Sequence, residues 1–249
     1  GAGNDTIRGG VRSDTFYGGA GTDTLRFDDL ASVGVVLNLD TSTAFFSADA
    51  STDSFNGFEI YYTSNQDDTI YGSTGNDTVY GLADEDTFHA SAGNDTFDGG
   101  SQVDTIDYSG LGSINFISVT LNGSTNATVT VDGGDNDTIR NIENVIATSG
   151  NDILTGDAQD NNLQGMAGDD ILNGGAGNDL LEGGAGNDTF TGSEGQNTYD
   201  GGADVDTLDY STQAGVTGVE FVLSGSGNAS VIVYGTGSND LVRNVENVI

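Results

Sequence analysis

The sequence predicts an all-β solenoid of nonapeptide repeats interrupted by β-hairpin insertions. Three observations carry that reading. A nine-residue unit recurs in register, most plainly from Gly174 to Phe190, where nearly the same nine residues are written twice. In each unit a Gly-rich turn leads to an aspartate and, two places later, to one large apolar residue, enough for a three-residue strand with one inward side chain. Between runs of repeats, apolar residues fall instead at every second position, separated by Gly, Ser and Asn, which is a hairpin pattern. Stacked repeats build one elongated core, so the 249 residues need not divide into the one or two globular domains that length alone suggests.

The first block, residues 1–26, places Asp5, Asp14 and Asp23 nine apart, followed by Ile7, Phe16 and Leu25. Residues 27–66 form a hairpin insertion and its return, with alternation at Val33, Val35, Leu37 and Leu39. The second block, 67–106, carries Asp68, Asp77, Asp86, Asp95 and Asp104, with Ile70, Val79, Phe88, Phe97 and Ile106 in register. Residues 107–149 form the second insertion and return, alternating at Ile117, Val119 and Leu121 and again at Val129 and Val131. The third block, 150–208, runs Asp152, Asn161, Asp170, Asp179, Asp188, Asn197 and Asp206, followed by Leu154, Leu163, Leu172, Leu181, Phe190, Tyr199 and Leu208. Residues 209–249 form the third insertion, with Val219, Phe221, Leu223, Val231 and Val233. All fifteen apolar positions are filled, so the beat is structural and not a by-product of composition.

The insertions share a plan. Each opens on Asp-Thr-apolar-x-aromatic, from Asp23, Asp104 and Asp206, and closes on Asp-x-apolar-x-(Asn or Gly)-apolar-Glu, from Asp53 to Glu59, Asp137 to Glu143 and Asp240 to Glu246. Gly1 stands in mid-repeat and a further block is expected after Ile249, so the sequence reads as a piece of a longer chain. No helix is expected, because Lys is absent, Gly is dense and no window shows a 3.6-residue apolar face.

A formal charge of −34, with all five basic residues Arg, makes nucleic acid and anionic membranes poor partners. No run of about 18 apolar residues is present, so membrane insertion is not expected. Without Cys a Gly-rich fold needs another staple, and metal is the obvious one. Carboxylates on equivalent turns would stack roughly 5 Å apart and repel. A divalent cation between them converts that repulsion into a cross-link, and hard oxygen ligands of this kind suit calcium.

The Gly-Gly-x-Gly-x-Asp-x-apolar-x unit closely resembles the calcium-binding repeat of RTX (repeats-in-toxin) proteins. The resemblance covers the three blocks. It implies a parallel β-roll in which two successive nonapeptides make one coil, with calcium between stacked turns. The ligands it implies are Asp5, Asp14, Asp23, Asp68, Asp77, Asp86, Asp95, Asp104, Asp152, Asp170, Asp179, Asp188 and Asp206, with turn carbonyls completing each shell. Asn161 and Asn197 depart from the pattern and are not carried over. Arg12, Asp84, Gln102 and Asp204 replace a turn Gly before Asp14, Asp86, Asp104 and Asp206, and weaker binding is expected there.

Catalysis has little support. The single His, His89, follows inward Phe88 and is expected on the outer surface, and the carboxylate pairs are products of the repeat. The expected role is non-enzymatic: a calcium-rigidified structural segment of a large secreted bacterial surface protein, such as an adhesin stalk, surface layer or filament. The insertions offer surfaces for self-association or for surface polysaccharide, with Tyr61, Tyr62, Tyr108 and Tyr210 as the aromatics a sugar would meet. The alternative is the C-terminal calcium-binding folding and secretion module of a secreted protease, lipase or polysaccharide-modifying enzyme. Sites of about 10⁻⁴ to 10⁻³ M would stay empty in a cytosol far poorer in calcium, which favours folding outside the cell. The resemblance implies type I secretion.

Overall fold

The computed structural model describes residues 1–30, 32–112, 114–223, 228–234 and 238–249. The two connections of the third insertion, at 224–227 and 235–237, lie outside the described residues, as do the side chains of Phe221 and Leu223. All regular structure among the described residues is β-strand. The chain forms two compact units, one of Gly1–Leu111, Ser124–Thr128 and Asp135–Ile142, the other of Gly112–Gly123, Val129–Gly134 and Glu143–Ile249.

In the first unit, one sheet stacks Thr6–Arg8, Thr24–Arg26, Ile60–Tyr62, Thr78–Ala83, Thr96–Ser101 and Asn136–Arg140, each parallel to the next. Its partner sheet stacks Val35–Asn38, Thr69–Tyr71, Thr87–His89 and Thr105–Asp107 in parallel. Strands therefore alternate between two sheets, and Thr87 pairs with Thr69, two nonapeptides away. This is the expected coil of a parallel β-roll.

The second unit repeats the plan. One sheet stacks Ile117–Thr120, Ile153–Thr155, Ile171–Asn173, Thr189–Thr191, Thr207–Asp209 and Asn247–Val248. The other stacks Asn144–Ile146, Asn162–Ala167, Leu180–Ala185, Thr198–Ala203 and Ser238–Arg243.

The strands are short because the repeat allows nothing longer. Thr and a large apolar residue favour the extended backbone, and the glycines that follow turn the chain back. Gly177 and Gly186 sit at φ 125° and 129°, where an L side chain is strained. Each strand sends one side chain inward, and these stack by identity of position. Leu163, Leu181 and Tyr199 lie in neighbouring strands of one sheet, Leu154, Leu172, Phe190 and Leu208 in those of the other, and all are fully buried. Thirteen of the fifteen expected inward residues are fully buried; Ile7 and Phe16 are half-buried.

The insertions are antiparallel meanders built into the sheets. Val35–Asn38 pairs antiparallel with Thr43–Phe46, which pairs antiparallel with Ser51–Asn56. Ile117–Thr120 pairs antiparallel with Ala127–Val131, and Gly218–Leu223 with Asn228–Tyr234, itself antiparallel to Ser238–Arg243. The closing strand of each insertion is also a rung of the roll: Phe55 pairs parallel with Phe16, Ile139 with Phe97 and Val242 with Tyr199. The expectation that the nine-residue beat stops between blocks is corrected here. It resumes one turn early, because Glu59 and Glu143 stand nine residues before Asp68 and Asp152 and lead into Ile60–Tyr62 and Asn144–Ile146.

Leu181→Ala leaves a void between Leu163 and Tyr199 and is expected to cost about 2–5 kcal/mol. Glu182→Ala, one residue on and outward, is expected to stay within about 0.5 kcal/mol. Urea unfolding of the calcium-loaded chain checks both.

Candidate metal centre

The residue at the marker position does the same thing in coil after coil. Its backbone N–H donates to the side-chain oxygen of the marker stacked after it. In the second unit one row runs Asp152 to Asp170 (2.7 Å), Asp170 to Asp188 (2.9 Å), Asp188 to Asp206 (2.8 Å) and Asp206 to Glu246 (2.8 Å). The other row runs Asn161 to Asp179, Asp179 to Asn197 and Asn197 to Asp240, each 2.9 Å. In the first unit the rows are Asp68 to Asp86 to Asp104 and Asp77 to Asp95 to Asp137. Asp5 donates to Asp23, Asp23 to Glu59, and Asp14 to Asp53. The thirteen aspartates singled out in the sequence thus belong to stacked rows. Asp5 is half-buried and Asp14 exposed; the other eleven are buried.

A second ladder runs beside the first in the opposite sense. The residue before the marker offers its side-chain oxygen to the N–H of its counterpart in the following coil, as in Asn151 to Asp169 (3.0 Å), Asp169 to Asn187 (2.8 Å) and Asp160 to Asn178 (2.7 Å). The two ladders together lock the register of neighbouring turns.

One carboxylate oxygen is left over. Oδ2 of Asp23, Asp53, Asp86, Asp170, Asp179, Asp188 and Asp206 is buried without a hydrogen-bond partner, a costly state for a carboxylate. These oxygens border turn carbonyls. A Cβ built on Gly183 would overlap Asp188 Oδ2 and lie 2.8 Å from Gly201 O; one on Gly165 would overlap Asp170 Oδ2 and lie 2.7 Å from Gly183 O. Only glycine leaves that space open. A carboxylate oxygen without a hydrogen-bond partner and a backbone carbonyl oxygen border that space, and both can serve a cation as ligands. Among the described residues no three carboxylate or imidazole groups converge, so a cation would draw several ligands from backbone carbonyls. That all-oxygen set fits calcium and not zinc.

Burial, reinforced by neighbouring carboxylates, pushes the carboxyls of Asp86, Asp170 and Asp95 up to about 9, 8 and 7. It pushes those of Asp137, Asp179 and Asp188 to about 6. Asp53, Asp68, Asp77, Asp152, Asp206 and Asp240 are raised as well, again mainly by burial.

Several functional positions escape a reading by blocks. Asp53, Asp137 and Asp240, in the closing phrases of the insertions, are buried members of the rows, and Glu59 and Glu246 accept a marker N–H as Asp does elsewhere. The signal was present: each closing Asp is followed two places later by Phe55, Ile139 or Val242, as in every repeat. Arg12, Asp84, Gln102 and Asp204 keep the turn geometry despite lacking glycine, at φ 92°, 69°, 83° and 81°.

Three of the four tyrosines considered for sugar binding are interior. Tyr61 donates to Phe58 O, Tyr108 to Asp137 Oδ2 (2.9 Å) and Tyr210 to Asp240 Oδ2 (2.6 Å). Tyr62 stacks on Tyr80 at 4.5 Å, and the Arg26 guanidinium lies over the Tyr62 ring, 4.0 Å from its centroid. His89 lies on the outer face as expected, but it is not isolated: it stacks on Tyr71 at 4.4 Å and its Nδ1 lies 3.0 Å from Asp107.

Two outcomes follow. The raised carboxyls bind protons more readily folded than unfolded, so the ion-free chain is most stable near pH 4 and loses stability as pH rises toward about 9. Circular dichroism in chelator should show β-structure growing on acidification. Separately, Phe27 occupies the place of Tyr108 and Tyr210 in the first insertion, and Asp53 Oδ2 is correspondingly unpartnered. Phe27→Tyr is expected to add about 1 kcal/mol, measured by thermal unfolding.

The model of the RTX calcium-binding nonapeptide repeat matches residues 1–29, 53–88, 62–97, 80–110, 146–181 and 174–208. No curated protein matches the sequence. Among solved structures, the crystal structure of extracellular lipase LipA from Serratia marcescens is similar with a TM-score of 0.30 and 16% identity, over 78% of this chain and 39% of the lipase chain. The present chain therefore corresponds to well under half of that protein's length. Matched over more than half of its residues, and with every matched block wound into the parallel roll, the chain belongs to the RTX calcium-binding nonapeptide repeat family.

Proposed function

We propose that this chain is a calcium-rigidified structural segment of a large secreted bacterial cell-surface protein. The observation that carries the calcium reading is the set of buried, unpartnered Oδ2 atoms facing turn carbonyls in a chain of formal charge −34. The residues that would hold calcium are Asp23, Asp86, Asp170, Asp179, Asp188 and Asp206, with the carbonyls of Gly99, Gly183 and Gly201 among the backbone ligands. Bound there, the ion supplies the positive charge that these carboxylates lack. The chain supplies the rest: glycine clears the space, the marker N–H orients each carboxylate, and burial excludes water.

Metal binding of this kind contributes folding free energy, because the site exists only in the folded chain. In calcium-poor cytosol the turns would carry uncompensated charge, which supports export as an expanded chain, by a type I route, and folding outside. The surface-protein role is supported by the way the insertions are built. The first and third insertions each continue a sheet as an antiparallel meander and re-enter the roll in register, as a module built to be repeated would.

Electron microscopy of the calcium-loaded chain is the test. Rods that associate into filaments or sheets are expected; dispersed single particles at all calcium concentrations would favour the rival role as the calcium module of a secreted enzyme.

A further inference from the structure

The turns are not equivalent, and the difference lies four residues before each marker. Gly19, Leu82, Met166, Gly175, Gly184 and Gly202 hold that place before Asp23, Asp86, Asp170, Asp179, Asp188 and Asp206, and all have positive φ, from 78° to 122°. The N–H of such a residue does not reach the carboxylate, and each of these aspartates keeps an unpartnered Oδ2. Leu82 and Met166 hold this geometry at φ 84° and 78° without being glycine, a strained state that persists only where something else fixes it.

Where Ser or Thr stands at that place, the carboxylate is satisfied from within. Ser64 donates its N–H to Asp68 Oδ2 (2.7 Å) and its hydroxyl to Oδ1 (2.8 Å). Ser73 does the same for Asp77 (2.7 and 3.1 Å). Thr148 donates N–H and hydroxyl to Asp152 Oδ2 (2.9 Å each), and Ser91 its hydroxyl to Asp95 Oδ2 (3.1 Å). Asp137 and Asp240 take a tyrosine hydroxyl. At the two departures from Asp, the side-chain amide puts protons where a cation would put charge: Asn161 Nδ2 donates to Glu143 O (2.9 Å), and Asn197 Nδ2 to Ser193 Oγ (3.1 Å) and O (3.3 Å).

Resting on the calcium reading above, we infer that calcium enters only the turns with the unpartnered oxygen, and that this chain's own hydroxyl, amide and N–H donors close the others. The closed turns fall into rows. Asp77, Asp95 and Asp137 form a closed run in the first unit, in the same row as the open Asp23. In the second unit Asp170, Asp188 and Asp206 form an open row, whereas the opposite row is closed at Asn161, Asn197 and Asp240 and open only at Asp179. In the second unit, calcium thus tightens one edge of the roll, while most of the opposite edge is held by covalently attached donors.

Counting bound calcium by native mass spectrometry on the whole chain tests this. Asp77→Asn with Asp95→Asn should leave the count unchanged, and Asp170→Asn with Asp188→Asn should lower it by about two and raise the calcium midpoint of folding severalfold. Equal losses from the two pairs, or no loss from the second, would overturn the inference while leaving calcium binding intact. A wild-type count of zero would instead remove the calcium reading itself. Should the Asp170 and Asp188 variant not fold, Ser73→Gly with Ser91→Gly decides: it removes the closing donors and should raise the count, and an unchanged count would contradict the assignment.

Discussion

The stacking of like-charged carboxylates is the constraint on which the rest of the structure depends. Each marker carboxylate is held over the preceding one by the N–H it accepts, at the spacing of neighbouring strands, about 4.8 Å. Asp170, Asp188 and Asp206 are buried in one such row. Repulsion between them is strengthened by burial, since little water screens it. The chain could have avoided this with a neutral residue, as it does at Asn161 and Asn197. Retaining Asp at most turns makes sense where a counter-charge arrives from solution.

The apolar core explains why that counter-charge matters. Each coil buries one large side chain per strand, Leu181 on one sheet and Leu172 on the other, and the remaining residues are turn and outer face. A globular domain buries far more per residue. The hydrogen-bond ladders fix which residues lie over which, but they do not remove the charge. Cohesion along the roll is therefore divided between a narrow apolar stack and whatever neutralises the turns, with contacts made mainly to adjacent coils as in other solenoids.

Much of this is legible in the sequence, for a physical reason. A repeat two strands long returns every equivalent residue to the same place, so spacing alone reveals which side chains stack, and Leu163, Leu181 and Tyr199 do so as expected. Composition hides what depends on direction. The insertions shorten the interval from Asp53 to Glu59, which conceals two rungs from a nine-residue count. The Asn or Asp that precedes most markers reads as ordinary turn chemistry, although Asn151 and Asp169 carry a ladder of their own. Whether a repeat carboxylate is satisfied depends on which donor the fold brings to it, a Ser or Thr four residues before it or a tyrosine from an insertion. Ser73 and Gly184 are both common turn residues, and only the structure shows that one closes its site and the other leaves it open.

The central claim is that the folded roll requires a divalent cation at neutral pH. Small-angle X-ray scattering measures this most directly, with one sample in chelator and one in millimolar calcium. The account predicts an expanded chain in chelator, with a radius of gyration near the about 55 Å expected for an unfolded chain of this length, and cooperative compaction as calcium is added. The same compact scattering in chelator and in calcium would contradict it.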